Sequence, residues 1–337
     1  MSSMFLSSSA SFLHILYFLV LPVLLLAAAG YVIQKTLTLD MPTLARLNLH
    51  LVVPALIFFS VVNARITGAQ VATVVLFSLC LMAAMSALAL GSGKLFGVPR
   101  DMRSALLLTA VFFNAGNFGL PLQDLAFRAF GLSEEAMAIQ AFIVIVQNVA
   151  TFTLGVFVAA AGRRESHWRG NLLAMAKFPP IYALLLGLAA LQARRWLGAA
   201  APDVAHALDP FWQAVVYAKN ALIAVALVTL GAQLALVKFR GGARRPVVLG
   251  VMLRLLAGPA AALALIYLFG IHGFLAQVLL IGSAAPTAVN ALLLCLQFEN
   301  HPEIVAKTVF FTTVLSPLTV TLVILLAQGG WLTRFAM

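Results

Sequence analysis

Apolar residues run through this chain in long blocks, broken at near-regular intervals by charges, prolines and glycines. Ten blocks stand out, at roughly 11–33, 42–63, 70–91, 102–130, 136–161, 172–193, 212–236, 246–269, 273–298 and 304–328. Each is about the length a helix needs to cross the hydrocarbon core of a bilayer. Strand-sized alternating segments are missing, so the blocks predict helices and not barrel strands. The longest polar stretches between them, at about 162–170 and 199–209, leave no room for a soluble domain. The expected fold class is an all-α integral membrane protein with ten transmembrane helices.

Two blocks contain segments that a helix would not choose. Asn114-Ala-Gly-Asn-Phe-Gly-Leu-Pro121 lies inside the fourth, and Ala284-Ala-Pro-Thr-Ala-Val-Asn290 inside the ninth. No water reaches the bilayer core, so non-helical backbone is tolerated there only where it is buried in protein or lines a polar cavity. Interrupted spans at matched positions in two halves point to a transporter's midplane binding site. Five blocks per half is an odd number, so the second half enters the membrane with the opposite sense. The prediction is two inverted five-helix repeats, 1–165 and 166–337, with helices 4 and 9 broken and crossing near the bilayer centre.

Composition agrees with a membrane protein. Hydrophobic residues make up 63% of the chain and charged residues 9%, with a mean hydropathy of +1.05. A soluble domain carries about a quarter charged residues. The net charge of +11 does not mark a nucleic-acid partner, because the basic residues are scattered over short loops. With the N-terminus outside, fourteen of the 21 Lys and Arg fall in cytoplasmic regions and five in outer ones. Lys219 and Arg254 lie within spans. The positive-inside rule therefore expects both termini outside. No basic residue precedes the first block, so a cleaved signal peptide is not expected. Cys80 and Cys295 each sit in an apolar block with no second ligand nearby and read as small buried hydrophobes.

Polar residues inside the blocks are the candidate chemistry, since each costs energy unless it is paired. Asn114 and Asn117 flank Gly116 in the first break, with Gly119 and Pro121 as structural elements of the crossing. Glycine permits close backbone approach, while proline removes a donor. The half-helix beginning near Leu120 would aim its N-terminal N–H groups into the gap, a natural anion site. Pro286, Thr287 and Asn290 take the matching parts in the second break. Gln147, with Asn148, lies deep in the fifth block, where interhelical hydrogen bonding competes with ligand contact as its role. Arg254 lies too deep to snorkel and is expected to attract an anion or to lock helices. The plainer reading of the crossing amides is that they satisfy the freed backbone, and the two readings are compatible.

Acids are missing from the span centres; Asp124, three residues past Pro121, is the deepest of the ten. A crossing of amides, hydroxyls and helix ends with cations nearby suits a carboxylate-bearing anion better than a cation. Enzyme chemistry has no foothold. The histidines form no His-Glu-x-x-His pair, and neither a Gly-x-Ser-x-Gly elbow nor a nucleotide-binding Gly-rich loop occurs. No cofactor or metal is expected, and transport would run on a gradient or on the membrane potential.

Leu51-Val-Val-Pro-Ala-Leu-Ile-Phe-Phe-Ser60, Asn114-Ala-Gly-Asn-Phe-Gly-Leu-Pro-Leu122 and Ala284-Ala-Pro-Thr-Ala-Val-Asn290 together resemble the auxin efflux carrier family. Gln147 and Leu296-Gln-Phe-Glu-Asn-His-Pro302 extend the likeness over essentially the whole chain. The resemblance implies a scaffold from helices 1, 2, 6 and 7, often a homodimer contact, and a moving transport unit from helices 3–5 and 8–10. It implies substrate carboxylate binding near Asn114, with Gln147 close by. The chain lacks the long central loop of plant members, has Phe113 where they carry proline, and has Asn290-Ala291 where they carry a second proline. These departures favour the shorter bacterial type, an inner-membrane carrier of small organic anions such as malonate or malate. Two alternatives differ in mechanism: a sodium-coupled symporter like the bile acid carriers, and an anion channel, which the sparse polar residues argue against.

Overall fold

The computed structural model of the chain describes residues 8–63, 67–160, 179–197, 209–237 and 243–329. Every regular element among them is helical. Seven helices are long and apolar enough to cross a membrane: α1 (Phe12–Leu37), α2 (Met41–Asn63), α3 (Gly68–Leu95), α6 (Ser133–Ala159), α8 (Asp209–Ala235), α9 (Arg244–Leu268) and α12 (Pro302–Gln328). The fourth block is instead two short helices, α4 (Arg103–Val111) and α5 (Leu120–Arg128). The ninth is likewise split into α10 (Gly273–Ser283) and α11 (Val289–Gln297). The sixth block is described from Pro179 onward, as α7 (Pro179–Leu197). The loop at 162–170, most of 199–209, and the cations Lys177, Lys238 and Arg240 that weigh in the topology argument lie outside the described residues.

Hydrophobicity is turned outward as well as inward. Leu95, Tyr267 and Leu268 are among many large apolar side chains left exposed, as a lipid-facing surface requires. With lipid no less apolar than leucine, small residues and backbone contact must draw the helices together. A Cβ added to Gly30 of α1 would stand 2.1 Å from the Val228 carbonyl oxygen of α8. One added to Gly231 of α8 would stand 1.7 Å from the Ala27 oxygen of α1, so the two backbones touch here. Gly187 of α7 plays a milder version of this part, its virtual Cβ lying 3.0 Å from Val61 of α2. The other helices pack mainly among themselves: α3 on α4, α6 and α9, α5 on α6, and α12 on α9, α10 and α11.

Among the described residues, five π-turns punctuate the helices. Four fall within long ones, at Leu16–Val20, Asn48–Val52, Thr151–Gly155 and Leu253–Ala257. The fifth, Ala115–Gly119, leads directly into α5.

The two interruptions meet. Phe113 and Thr287 form an isolated antiparallel bridge, with the Asn114 N–H donating to the Pro286 oxygen at 2.7 Å and the Ala288 N–H to the Phe112 oxygen at 2.9 Å. Backbone groups freed by the breaks thus satisfy each other, as burial away from water demands. Side chains supply the remaining partners. Thr287 Oγ1 donates to the Thr109 oxygen at 3.0 Å, and the Thr287 N–H donates to Thr312 Oγ1 at 3.2 Å. Gln140 Nε2 reaches the Ala115 oxygen at 2.9 Å. A Cβ on either Gly119 or Gly282 would come within 2.5 Å of the Gln140 amide, so these two glycines make its berth.

Candidate substrate cavity at the crossing

A cavity of about 270 Å³ opens on one side of this bridge. Its wall draws on five elements: Asn48 from α2, Asn114, Gly116 and Asn117 from the first break, Gln147, Asn148 and Thr151 from α6, Thr229 and Gln233 from α8, and Asn290 from α11. Three of the π-turns contribute residues to it, at 48–52, 115–119 and 151–155. Such turns re-aim side chains and recur at functional sites. Gly116 has no atom within 4 Å of where its Cβ would be, so glycine there keeps the cavity open.

The polar wall is only partly paired within itself. Asn48 Nδ2 donates to Asn117 Oδ1 at 2.9 Å, and Asn290 Nδ2 to Asn148 Oδ1 at 3.2 Å. Among the described residues, eight buried side-chain polar atoms lack a hydrogen-bond partner, and five of these belong to the cavity wall. They are Asn48 Oδ1, Asn114 Nδ2, both amide atoms of Gln147, and Gln233 Oε1. Native proteins leave few such atoms, and a cluster of them calls for a ligand or for solvent. Nothing in the wall carries a formal charge. The first turn of α11 starts at Ala288–Asn290 on the cavity surface without a side-chain cap, so its dipole presents positive potential there.

Four of the residues singled out in the sequence, Asn114, Asn117, Gln147 and Asn290, converge on this cavity. Pro286, Thr287 and Arg254 lie behind it. Pro286 and Thr287 are in the bridge itself, and Thr287 is fully buried. Arg254 is also fully buried, and its guanidinium donates to the Ala110 oxygen at 3.2 Å and to the Ser283 oxygen. It thereby ties the ends of α4 and α10 together. Its Cζ lies 4.9 Å from the ring centroid of Phe113, itself a residue of the cavity wall, so Phe113 lies between charge and cavity. Among the described residues no carboxylate pairs with it. Asp124 is held away from the cavity by Arg128 and Ser133. Lys219 binds Glu134 at 2.8 Å and lies over the Phe59 ring.

Sequence reasoning did not single out Asn48, Thr229, Gln233 or Gln140. All four are polar residues inside apolar blocks, the same signal that marked Gln147.

A family model described as membrane transport protein matches residues 15–174 and 166–324. The chain belongs to the auxin efflux carrier-like membrane transport family. Two relatives of this chain are archaeal. An uncharacterized transporter of Methanocaldococcus jannaschii is 27% identical over 292 residues, covering 84% of this chain and 87% of the relative. An uncharacterized transporter of Methanothermobacter thermautotrophicus is 24% identical over 311 residues, covering 88% of this chain and 93% of the relative. The family and these relatives are transporters, not enzymes, and a chain with seven membrane-length apolar helices among its described residues is a multi-pass member of the family.

Proposed function

We propose that this protein is a secondary-active or potential-driven carrier of small organic anions, with carboxylates of malonate or malate size as substrates. The observation that carries the reading is the cluster of five unpaired amide atoms around an uncharged cavity at the crossing. Amide N–H groups from Asn114 and Gln147, with the uncapped start of α11, would bind a carboxylate. The buried charge of Arg254 behind Phe113 would favour an anion over a cation. The volume suits a molecule of a few heavy atoms; drug-sized ligands occupy about 300–1,000 Å³.

Alternating access would come from two inverted five-helix repeats, 1–165 and 166–337. If the first span corresponds to the sixth and the second to the seventh, the α1–α8 and α2–α7 contacts become one contact occurring twice. Both are extensive, and both bring glycine against the partner helix. On this reading α1, α2, α7 and α8 form the scaffold, α3–α6 and α9–α12 form the moving unit, and the cavity lies between them. The exposed apolar face of α1 is available to a second copy of the chain. The protein would reside in a bacterial inner membrane with both termini outside. Cysteines at Ser166 and Gly241, in a background lacking Cys80 and Cys295, should then resist membrane-impermeant reagents in intact cells.

The direct test is flux in proteoliposomes. An interior-negative potential of about 100 mV is worth about 2.3 kcal/mol per charge and favours anion export. A potassium–valinomycin potential without a pH gradient should therefore drive movement of fully ionised malonate or malate. A sodium-coupled symporter is the second reading, favoured by the three unpaired amide oxygens on Asn48, Gln147 and Gln233. Flux that ignores the potential but requires sodium would establish it in place of the first.

A further inference from the structure

A second concavity lies far from the crossing in character. Between α9 and α12 runs a groove of about 540 Å³, walled by Val247, Val248, Val251, Met252, Phe311 and Leu315. Arg244 and Lys307 also line it. Arg244 stands in the first turn of α9 and Lys307 in the second turn of α12, turns that the charge bias assigns to one membrane face. The start of α9 has no side-chain cap, so its helix dipole adds positive potential beside Arg244. Val248, Met252 and Leu315 are exposed although they sit in a hollow, so none of the described residues covers this apolar trough. The comparable trough on α1, walled by Leu13, Leu16, Tyr17 and Phe18, has a histidine but no lysine or arginine.

An apolar trough joined to two cations is the complement of a molecule with an acyl chain and an anionic head. Basic pockets between transmembrane helices bind lipid headgroups in this way. We infer that the α9–α12 groove is a binding site for an anionic phospholipid, with the phosphate at Arg244 and Lys307 and one acyl chain along Val248, Met252 and Leu315. The groove flanks the turn of α9 that leads into Leu253–Ala257, where Arg254 ties α4 to α10. A lipid held there would brace the helix that carries the crossing's one buried cation among the described residues.

Native mass spectrometry of the full chain released from micelles tests this, with dioleoyl phosphatidylglycerol and dioleoyl phosphatidylcholine as probes. The unaltered protein should bind phosphatidylglycerol in preference. Each cation near a phosphate contributes about 1 kcal/mol, so Arg244→Gln with Lys307→Gln should weaken phosphatidylglycerol binding roughly 30-fold. Binding of phosphatidylcholine should stay as it was. Lys94→Gln with Arg100→Gln removes the same charge elsewhere and should change nothing. Val248→Trp fills the trough while keeping both cations, and it should also lower phosphatidylglycerol binding. Equal binding of the two lipids by the unaltered protein would overturn the assignment. So would equal loss in the Lys94/Arg100 control, or displacement of the lipid by inorganic phosphate alone.

Discussion

The two faces of the crossing use the same side-chain chemistry to opposite ends. Behind the Phe113–Thr287 bridge, Gln140, Thr287 and Arg254 donate to carbonyls released by the broken helices, with Arg254 Nε the one donor of the three side chains left without a partner among the described residues. In front of it, Asn114, Gln147 and Gln233 keep polar atoms that no group among the described residues meets. An amide behind the bridge holds the fold together. An amide in front costs the fold stability, because a buried unpaired polar group is expensive. On the proposed function the difference would separate structural polar residues from substrate-binding ones without reference to their type, and it makes the two groups experimentally distinct.

The strongest way to break the comparison is Arg254→Met. It strands two carbonyl oxygens in the core and should destabilise the protein by about 3 kcal/mol or more. The readout is a large fall in the thermal midpoint and yield in detergent. An unchanged midpoint with lost transport would move Arg254 to the functional side. Asn114→Ala is next. Losing one good hydrogen bond to a charged group weakens binding by about 1.5–3 kcal/mol, roughly 10- to 150-fold, while the folded protein stays extractable. Calorimetric titration with malonate or malate measures it, and wild-type affinity would displace the site from the crossing.

Gln140→Leu should cost about 1–3 kcal/mol of stability, since it leaves the Ala115 oxygen and Gln123 Nε2 with fewer partners. Gln147→Leu sharpens the contrast, because it deletes two unpaired buried atoms. Its thermal midpoint should hold or rise while affinity falls, the trade expected where function is maintained against stability. A falling midpoint would mean that Gln147 is paired within the fold. The smallest effect belongs to Asn290→Ala, which loses one contact to Asn148 and should weaken binding several-fold at most.

Much of this was legible in the sequence because breaks inside apolar blocks are rare and costly. Gly116, Gly119, Pro121 and Pro286 marked the two breaks, but the non-helical backbone is confined to 112–114 and 284–288, with Gly116 and Gly119 in a π-turn and Pro121 in the first turn of α5. The pairing of the two breaks followed from their matched positions. The wall opposite them did not. Asn48 and Gln233 are single amides in otherwise apolar helices, and nothing local says that α2 and α8 turn them toward the crossing. Arg254 was read as either attracting an anion or locking helices; its hydrogen bonds go to carbonyls, and its position behind Phe113 depends on packing that no spacing encodes. In the second break Thr287 reads, with Pro286 and Asn290, as a site residue, but its hydroxyl donates to the Thr109 carbonyl oxygen.

The π-turns carry a consequence for how this protein can change. A π-turn holds one residue more than the α-turn it replaces, so it is a frame shift written into a helix. Removing a single residue from Asn48–Val52 would let α2 close into a continuous α-helix. The extra residue is taken up within its own turn, so the helix on either side of the deletion would keep its facing and only the residues of the turn would be re-aimed. Asn48, in that turn, would shift against Asn117 while the apolar composition of the helix stayed nearly the same. The same holds at Thr151–Gly155 and Ala115–Gly119. A one-codon deletion at any of these places is therefore a change of cavity and not of hydrophobicity, and a hydropathy profile would pass over it unseen.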